Sequence, residues 1–210
     1  MTATLAAIFT SSFVIALSGA LMPGPVLTIT ITESTRRGPW AGPLMMLGHG
    51  ILELFLIGLL LAGLAPFLSR GGVFVAVSIV GGAILLGMGI MMLKNLPSLT
   101  LHNTGEQRGS SNLVLTGIVM SVANPYWLIW WATIGLGYIM YAMQFGIAGV
   151  IAFFVGHIFA DLAWYSLVSY GVAKGTHFMS DRMYRGLIGF CGGFLVLFSV
   201  YFFYSGITGL

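Results

Sequence analysis

Two short stretches carry the residues best suited to chemistry. GHGILEL, residues 48–54, holds His49 and Glu53 four positions apart, and GHIFADL, residues 156–162, holds His157 and Asp161 at the same spacing. Residues i and i+4 share one helix face, so each pair forms a single polar patch within an apolar segment. An acid at the centre of a membrane span costs about 2.5–3.5 kcal/mol on insertion scales, and such a residue calls for a function and a named partner. Each histidine is the obvious partner of its acid. Three chemistries fit. Imidazole and carboxylate could hold and exchange a proton, since histidine titrates near neutral pH, which gives all four residues a proton-coupling or substrate-contact role. Two histidines and two carboxylates also suit Zn²⁺ or a similar divalent ion, so the same four are alternative metal ligands. The other histidines, His102 and His177, sit in connectors and add nothing to that set. Finally, the pairs could simply hydrogen-bond within a bundle, a contribution usually under about 2 kcal/mol.

A second group of residues breaks helices. MPGPV places Pro23 and Pro25 around Gly24, and SVANPYW places Asn124 and Pro125 just before Trp127. A proline inside a helix removes a donor and clashes with the preceding turn, costing about 3 kcal/mol. In lipid the freed backbone groups are tolerated only where they are buried in protein or line a polar cavity. A discontinuous helix offers N–H groups to an anion and C=O groups to a cation. Those ends suit the carboxylate and ammonium of an amino acid, making Pro23, Gly24, Pro25, Asn124 and Pro125 candidate substrate-binding residues. Trp127 joins them because an aromatic face so near a mid-span proline could cradle an ammonium. The competing reading is a simple proline kink. Glu33, near Arg36 and Arg37, reads as a surface ion pair or as a gate for a cationic group.

The elements that must position these residues are apolar helices. Of 210 residues, 58% are hydrophobic and 6% charged, against about 25% charged in an ordinary soluble domain. The chain therefore belongs in a lipid bilayer. Eight Lys or Arg against five Asp or Glu are too few and too scattered for a phosphate-tracking surface, which sets nucleic acid aside. The single Cys191 excludes an internal disulfide and a CxxC pair, and reads as a packing residue. No cofactor and no catalysed reaction are called for. The N-terminus lacks a basic n-region and reads as a retained first span.

A span needs roughly 20 apolar residues, and six stretches qualify: 5–31, 43–68, 72–93, 112–138, 145–173 and 185–207. The polar segment 94–111 reads as a cytoplasmic connector between a first unit, 1–93, and a second, 112–210. Arg36, Arg37, Lys94, Arg108, Lys174, Arg182 and Arg185 fall on one side and Arg70 on the other. The positive-inside rule then places the chain in the inner membrane with both termini outside. A homo-oligomer is compatible with this composition.

The units repeat each other. LGHGILEL (47–54) aligns with VGHIFADL (155–162), IVGGAILL (79–86) with FCGGFLVL (190–197), and GPV (24–26) with NPY (124–126). The second match sets the small pair Ser78 and Gly82 against Gly189 and Gly193. Three spans per unit, an odd number, invert the second copy, as in many secondary transporters. The expected fold is an all-α polytopic membrane protein with six transmembrane helices in two inverted three-helix repeats, its first and fourth helices broken by proline.

PGPVLTITITESTRRGPWAGP followed by LGHGILEL, and ANPYWLIWWATIGLGY with FFVGHIFADLAWYSL, resemble the LysE/RhtB family of amino-acid exporters along essentially the whole chain. The resemblance implies efflux of an amino acid or related metabolite by proton exchange, with family roles falling on Pro23, Gly24, Pro25, Asn124 and Pro125. This chain reads NPYW where the better-known exporters have an NPK-like start. Other relatives in the wider superfamily move divalent metals, which keeps a metal exporter as the alternative beside a non-transporting membrane scaffold.

Overall fold

The computed structural model describes residues 2–64, 66, 71–100, 112–175 and 178–208. Helix α1 (Thr2–Ala20) is followed by α2 (Pro25–Arg37), α3 (Ala41–Leu59) with a π-helical turn at Leu60–Leu64, and α4 (Gly71–Asn95). The second half runs α5 (Leu113–Val122), α6 (Pro125–Trp130), a π-helical turn at Trp131–Gly135, α7 (Leu136–Met143), α8 (Gly146–Gly175) and α9 (Asp181–Thr208). Thr2–Ala20, Ala41–Leu64, Gly71–Ser98, Gly146–Gly175 and Asp181–Thr208 are long and apolar enough to cross a membrane. Leu113–Val122 and Pro125–Met143 make a sixth span, bent by 67°. This is the expected all-α polytopic membrane fold. Arg70, His102, Arg108 and His177 lie outside the described residues.

Outward faces are apolar: Phe55, Phe159, Phe190 and Leu197 are each more than half exposed. In water such a surface would be costly, whereas acyl chains make it the favourable solvent. Polar residues point inward instead, among them Ser12, Thr30, Ser34 and Ser199.

The first predicted stretch, 5–31, divides into two helices of different character. α1 is the apolar span; α2 buries Thr28, Thr30, Glu33 and Ser34 against protein. Thr28 and Ser34 satisfy their hydroxyls on the preceding turn, Ser34 on the Thr30 carbonyl at 2.6 Å, whereas Thr30 donates to Met45 Sδ at 3.5 Å. Glu33 pairs with Arg37 at 2.7 Å and Arg36 at 3.7 Å, so the ion pair is present but its acid is buried rather than on the surface. Gly38, at φ 82°, turns the chain into α3 in a conformation that disfavours a side chain.

The long helices associate in pairs: α1 along α8, α3 along α5, and α4 along α9. Small residues set the closeness. A Cβ on Gly48 of α3 would fall on the Val114 carbonyl of α5, and one on Gly117 would fall on the Met45 carbonyl. In the first pair, Gly156 of α8 meets the Phe9 carbonyl of α1 in the same way. The glycine of each Gly-His motif is therefore the point of helix contact, which turns the following histidine inward. On the third pair, Gly89 faces the Gly192 carbonyl, 2.8 Å from where a Cβ would lie. Gly82 packs against Phe202 and Phe203 as a small-residue face requires, but Gly193 meets nothing within 4 Å. Its neighbour Gly192 makes the contact, because one helical position rotates the face by about 100°. Cys191 is buried with Tyr184 and Ile188 as a packing residue.

Candidate functional site

The two chain breaks meet inside the bundle. α1 closes its last turns on the Leu17 and Gly19 carbonyls, and Pro23 and Pro25 then offer no N–H to continue. Pro25 instead opens α2, where its fixed φ fits the first helical position. Gly24 is extended at φ −127°, and no side chain caps the helix that follows. At the second break Asn124 accepts from the Tyr126 N–H at 3.2 Å and caps α6, with Pro125 in the first turn. A Cβ on Gly24 would lie 3.4 Å from Asn124 Nδ2, so the breaks are in contact.

Beside them is a cavity lined by His49, Glu53, Asn124, Trp127, His157 and Asp161. Ala16, Gly19 and Ala20 of α1 open its wall, and Tyr126 and Trp130 supply aromatic faces. Six of the ten predicted site residues thus share one cavity. Pro23, Gly24, Pro25 and Pro125 are not on its lining: they shape the breaks, and Pro125 packs onto Gly81 of α4. Val26, next after Pro25, reaches the wall instead.

The two His-acid patches form one buried quartet. His49 Nε2 lies 3.0 Å from Glu53 Oε1 and 3.8 Å from Asp161 Oδ2; His157 Nε2 lies 3.1 Å from Glu53 Oε2 and 3.4 Å from Asp161 Oδ2. One ligand atom from each residue can be chosen so that all four lie within 4.8 Å of one another. Each imidazole nitrogen facing two carboxylates needs a hydrogen there, because oxygen cannot donate unless it is itself protonated.

Trp127 of the predicted set, with Trp131 and Ser121 from outside it, holds the quartet in place. Trp127 Nε1 and Trp131 Nε1 both donate to Glu53 Oε1, at 3.0 and 2.8 Å. Their spacing, i and i+4, brings both indoles to one side of the α6 segment, a signal present in YWLIWW. Ser121 Oγ lies 2.7 Å from His49 Nδ1 and 2.7 Å from the Gly117 carbonyl. Its one hydrogen can serve only one of them. When Ser121 donates to Gly117, His49 donates from Nδ1 and needs a second proton on Nε2 to face the acids; when Ser121 donates to His49, a neutral ring suffices. Rotating one hydroxyl accompanies the change of ring charge. His157 lies against Trp130, Trp131 and Phe153, with ring centroids 4.8, 5.4 and 5.9 Å away. Its Nδ1 has no hydrogen-bond partner among the described residues, an environment of π faces that suits a cationic ring.

Residues 17–206 match the family described as LysE type translocator. A Bacillus subtilis (strain 168) protein named "Putative amino acid efflux protein YcgF" is 25% identical over 209 residues, which cover 97% of this chain and 98% of that protein. No solved structure matches the chain. With nearly its whole length matched and its apolar helices bundled around a polar cavity, the chain belongs to the LysE-type translocator family of membrane transport proteins.

Proposed function

We propose that the chain exports an amino acid or a related small metabolite across the cytoplasmic membrane, in exchange for protons and by alternating access. The observation that carries the reading is the merging of two His-acid patches into one buried quartet beside the contact of the two breaks. A cavity lined by ionisable groups and by Asn124 of the second break offers complementary partners to a zwitterion. The amino-acid name of the Bacillus relative supports the substrate class. In this reading the two halves are inverted three-helix repeats, with both termini extracytoplasmic. The helix pairing supports it, because exchanging the halves maps first-with-fifth onto fourth-with-second and leaves third-with-sixth unchanged.

Proteoliposomes loaded with a panel of amino acids and given an inwardly directed proton gradient test the proposal. Gradient-driven efflux is expected from the unaltered chain and is lost in His49→Ala and Glu53→Gln, each remaining monodisperse. Efflux that survives both changes would leave the quartet a structural element.

A divalent-cation exporter is the second reading, favoured by the four donor atoms within 4.8 Å. Tetrahedral Zn²⁺ with ligands near 2.0–2.2 Å sets its donors about 3.3 Å apart, close to the 3.0–3.8 Å separations present. Stoichiometric metal in the purified protein, together with metal flux, decides for it.

A further inference from the structure

The two acids of the quartet occupy unequal positions. Glu53 is 1% exposed and is held by four groups, all on Oε1: both indoles donate to it and both imidazoles stand within 3.2 Å, while Oε2 has no hydrogen-bond partner among the described residues. Asp161 is 5% exposed, its Oδ2 has no hydrogen-bond partner among the described residues, and its imidazole neighbours stand back at 3.4 and 3.8 Å. A carboxylate offers about four acceptor positions, and leaving them unfilled in a buried site is costly. Both acids line the cavity and each leaves one oxygen unpartnered among the described residues, but Glu53 has four nitrogen donors within 3.2 Å whereas Asp161 has two imidazoles at longer range, so Asp161 has the more capacity to spare.

We infer that Asp161 is the receptor for a primary ammonium group of the transported solute, and that Glu53 is the fixed counter-charge that positions the two histidines. This deepens the amino-acid reading and rests on it. An ammonium brings three donors and no acceptor, the complement of an under-satisfied carboxylate. The surrounding wall fits the same group: Trp130 and Tyr126 bring aromatic rings to the lining, beside the small residues Ala16, Gly19 and Ala20. Among the described residues no lysine or arginine lines the cavity to compete for Asp161. A metal ion would instead draw on both acids equally, since each contributes one oxygen to the four-donor set.

The test is equilibrium binding to the purified full chain in lipid nanodiscs. The probes are the twenty protein L-amino acids, each tested together with its N-acetyl derivative and the amine lacking the carboxylate. Acetylation is expected to weaken binding at least tenfold, and Asp161→Asn to weaken the parent amino acid by a similar factor, with Asp161→Glu restoring part of it should the asparagine variant fold poorly. Glu53→Gln should shift tryptophan emission by removing the anion beside two indoles. Asp161→Asn binding within twofold of the unaltered chain, or N-acetyl forms binding as tightly as free amino acids, would overturn the assignment. Binding of the amines without the amino acids would keep Asp161 as the ammonium receptor and remove the amino-acid reading; binding of neither removes both. Stoichiometric Zn²⁺ lost equally in both acid variants would replace the assignment with a metal centre.

Discussion

Trp131 donates its indole N–H to Glu53 Oε1 across 2.8 Å, tying the helix after the second break to the acid of the second span. Trp127 makes the same bond one turn earlier at 3.0 Å. A buried carboxylate held this way keeps its second oxygen, Oε2, turned toward His157 at 3.1 Å. The aromatic run after the second break is therefore part of the electrostatic site and not only a mark of the membrane interface.

Trp131→Phe keeps the ring packing but deletes one donor. A hydrogen bond to a charged group contributes about 1.5–3 kcal/mol, and the variant should lose stability on that scale in thermal unfolding of the detergent-solubilised protein. Combined with Glu53→Gln the losses should be less than additive, because one change deletes the bond that the other weakens by removing its charge. Strict additivity would mean that the contact carries no energy.

Gly48→Ala and Gly156→Ala place a methyl on a facing carbonyl oxygen. Overpacking costs about 1–3 kcal/mol or more where backbone must shift, so both variants should elute heterogeneously in gel filtration. Gly58→Ala on the same helix as Gly48 meets nothing within 4 Å and should be neutral or stabilising by up to about 1 kcal/mol. Equal behaviour of Gly48→Ala and Gly58→Ala would refute the close α3–α5 approach.

Ser121→Ala leaves His49 Nδ1 without its 2.7 Å partner. An orphaned buried polar atom costs about 1–3 kcal/mol, and in the proton-exchange reading the variant should also slow gradient-driven efflux. Ser121→Thr retains the hydroxyl and should recover most of the rate. Recovery by alanine as complete as by threonine would remove Ser121 from the proton path.

Asn124→Ala removes the cap on α6. Loss of such a cap costs about 1 kcal/mol, readable as a lowered unfolding temperature, and Asn124→Asp should preserve the cap because its carboxylate accepts from the same N–H. An aspartate variant as unstable as the alanine one would show that Asn124 acts through its contact with Gly24 instead.

The His-acid patches were legible in sequence because i,i+4 spacing fixes a shared helix face, whatever surrounds it. That the two patches form one quartet was not, since convergence depends on how far along each helix the contact glycines fall, and glycine in apolar helices is common. Gly48 and Gly156 stood in the motif that marked the repeat, yet their role appears only beside the Val114 and Phe9 carbonyls. Trp127 was recognisable from its distance to Pro125, while Trp131 needed the same i,i+4 test that picked out the histidines. α2 was obscured by hydropathy averaging: isoleucines alternate there with threonines whose hydroxyls are satisfied inside the protein, Thr28 and Thr32 on backbone carbonyls and Thr30 on Met45 Sδ, so an apolar score and a polar, enclosed helix coexist. Gly193 was one position from the true contact because a repeat alignment preserves residue order more faithfully than facing direction.

Glycine contacts key helices together within two pairs, and two more cross the seam between those pairs, Gly42 of α3 on the Tyr165 carbonyl of α8 and Gly149 of α8 on the Ala142 carbonyl of α7. α3 is keyed to α5, and α1 to α8, so Glu53 and His49 ride with the tryptophans and Ser121, while His157 and Asp161 ride with α1. Of the four contacts in the quartet, His49–Glu53 and His157–Asp161 lie within single helices; His49–Asp161 and His157–Glu53 cross from one keyed pair to the other. Rocking one pair against the other would leave the first two intact and unfasten the second two. The quartet would then act as a clasp, closed when the halves meet and separable into two complete imidazole–carboxylate pairs when they part, so that neither half opens onto a stranded charge.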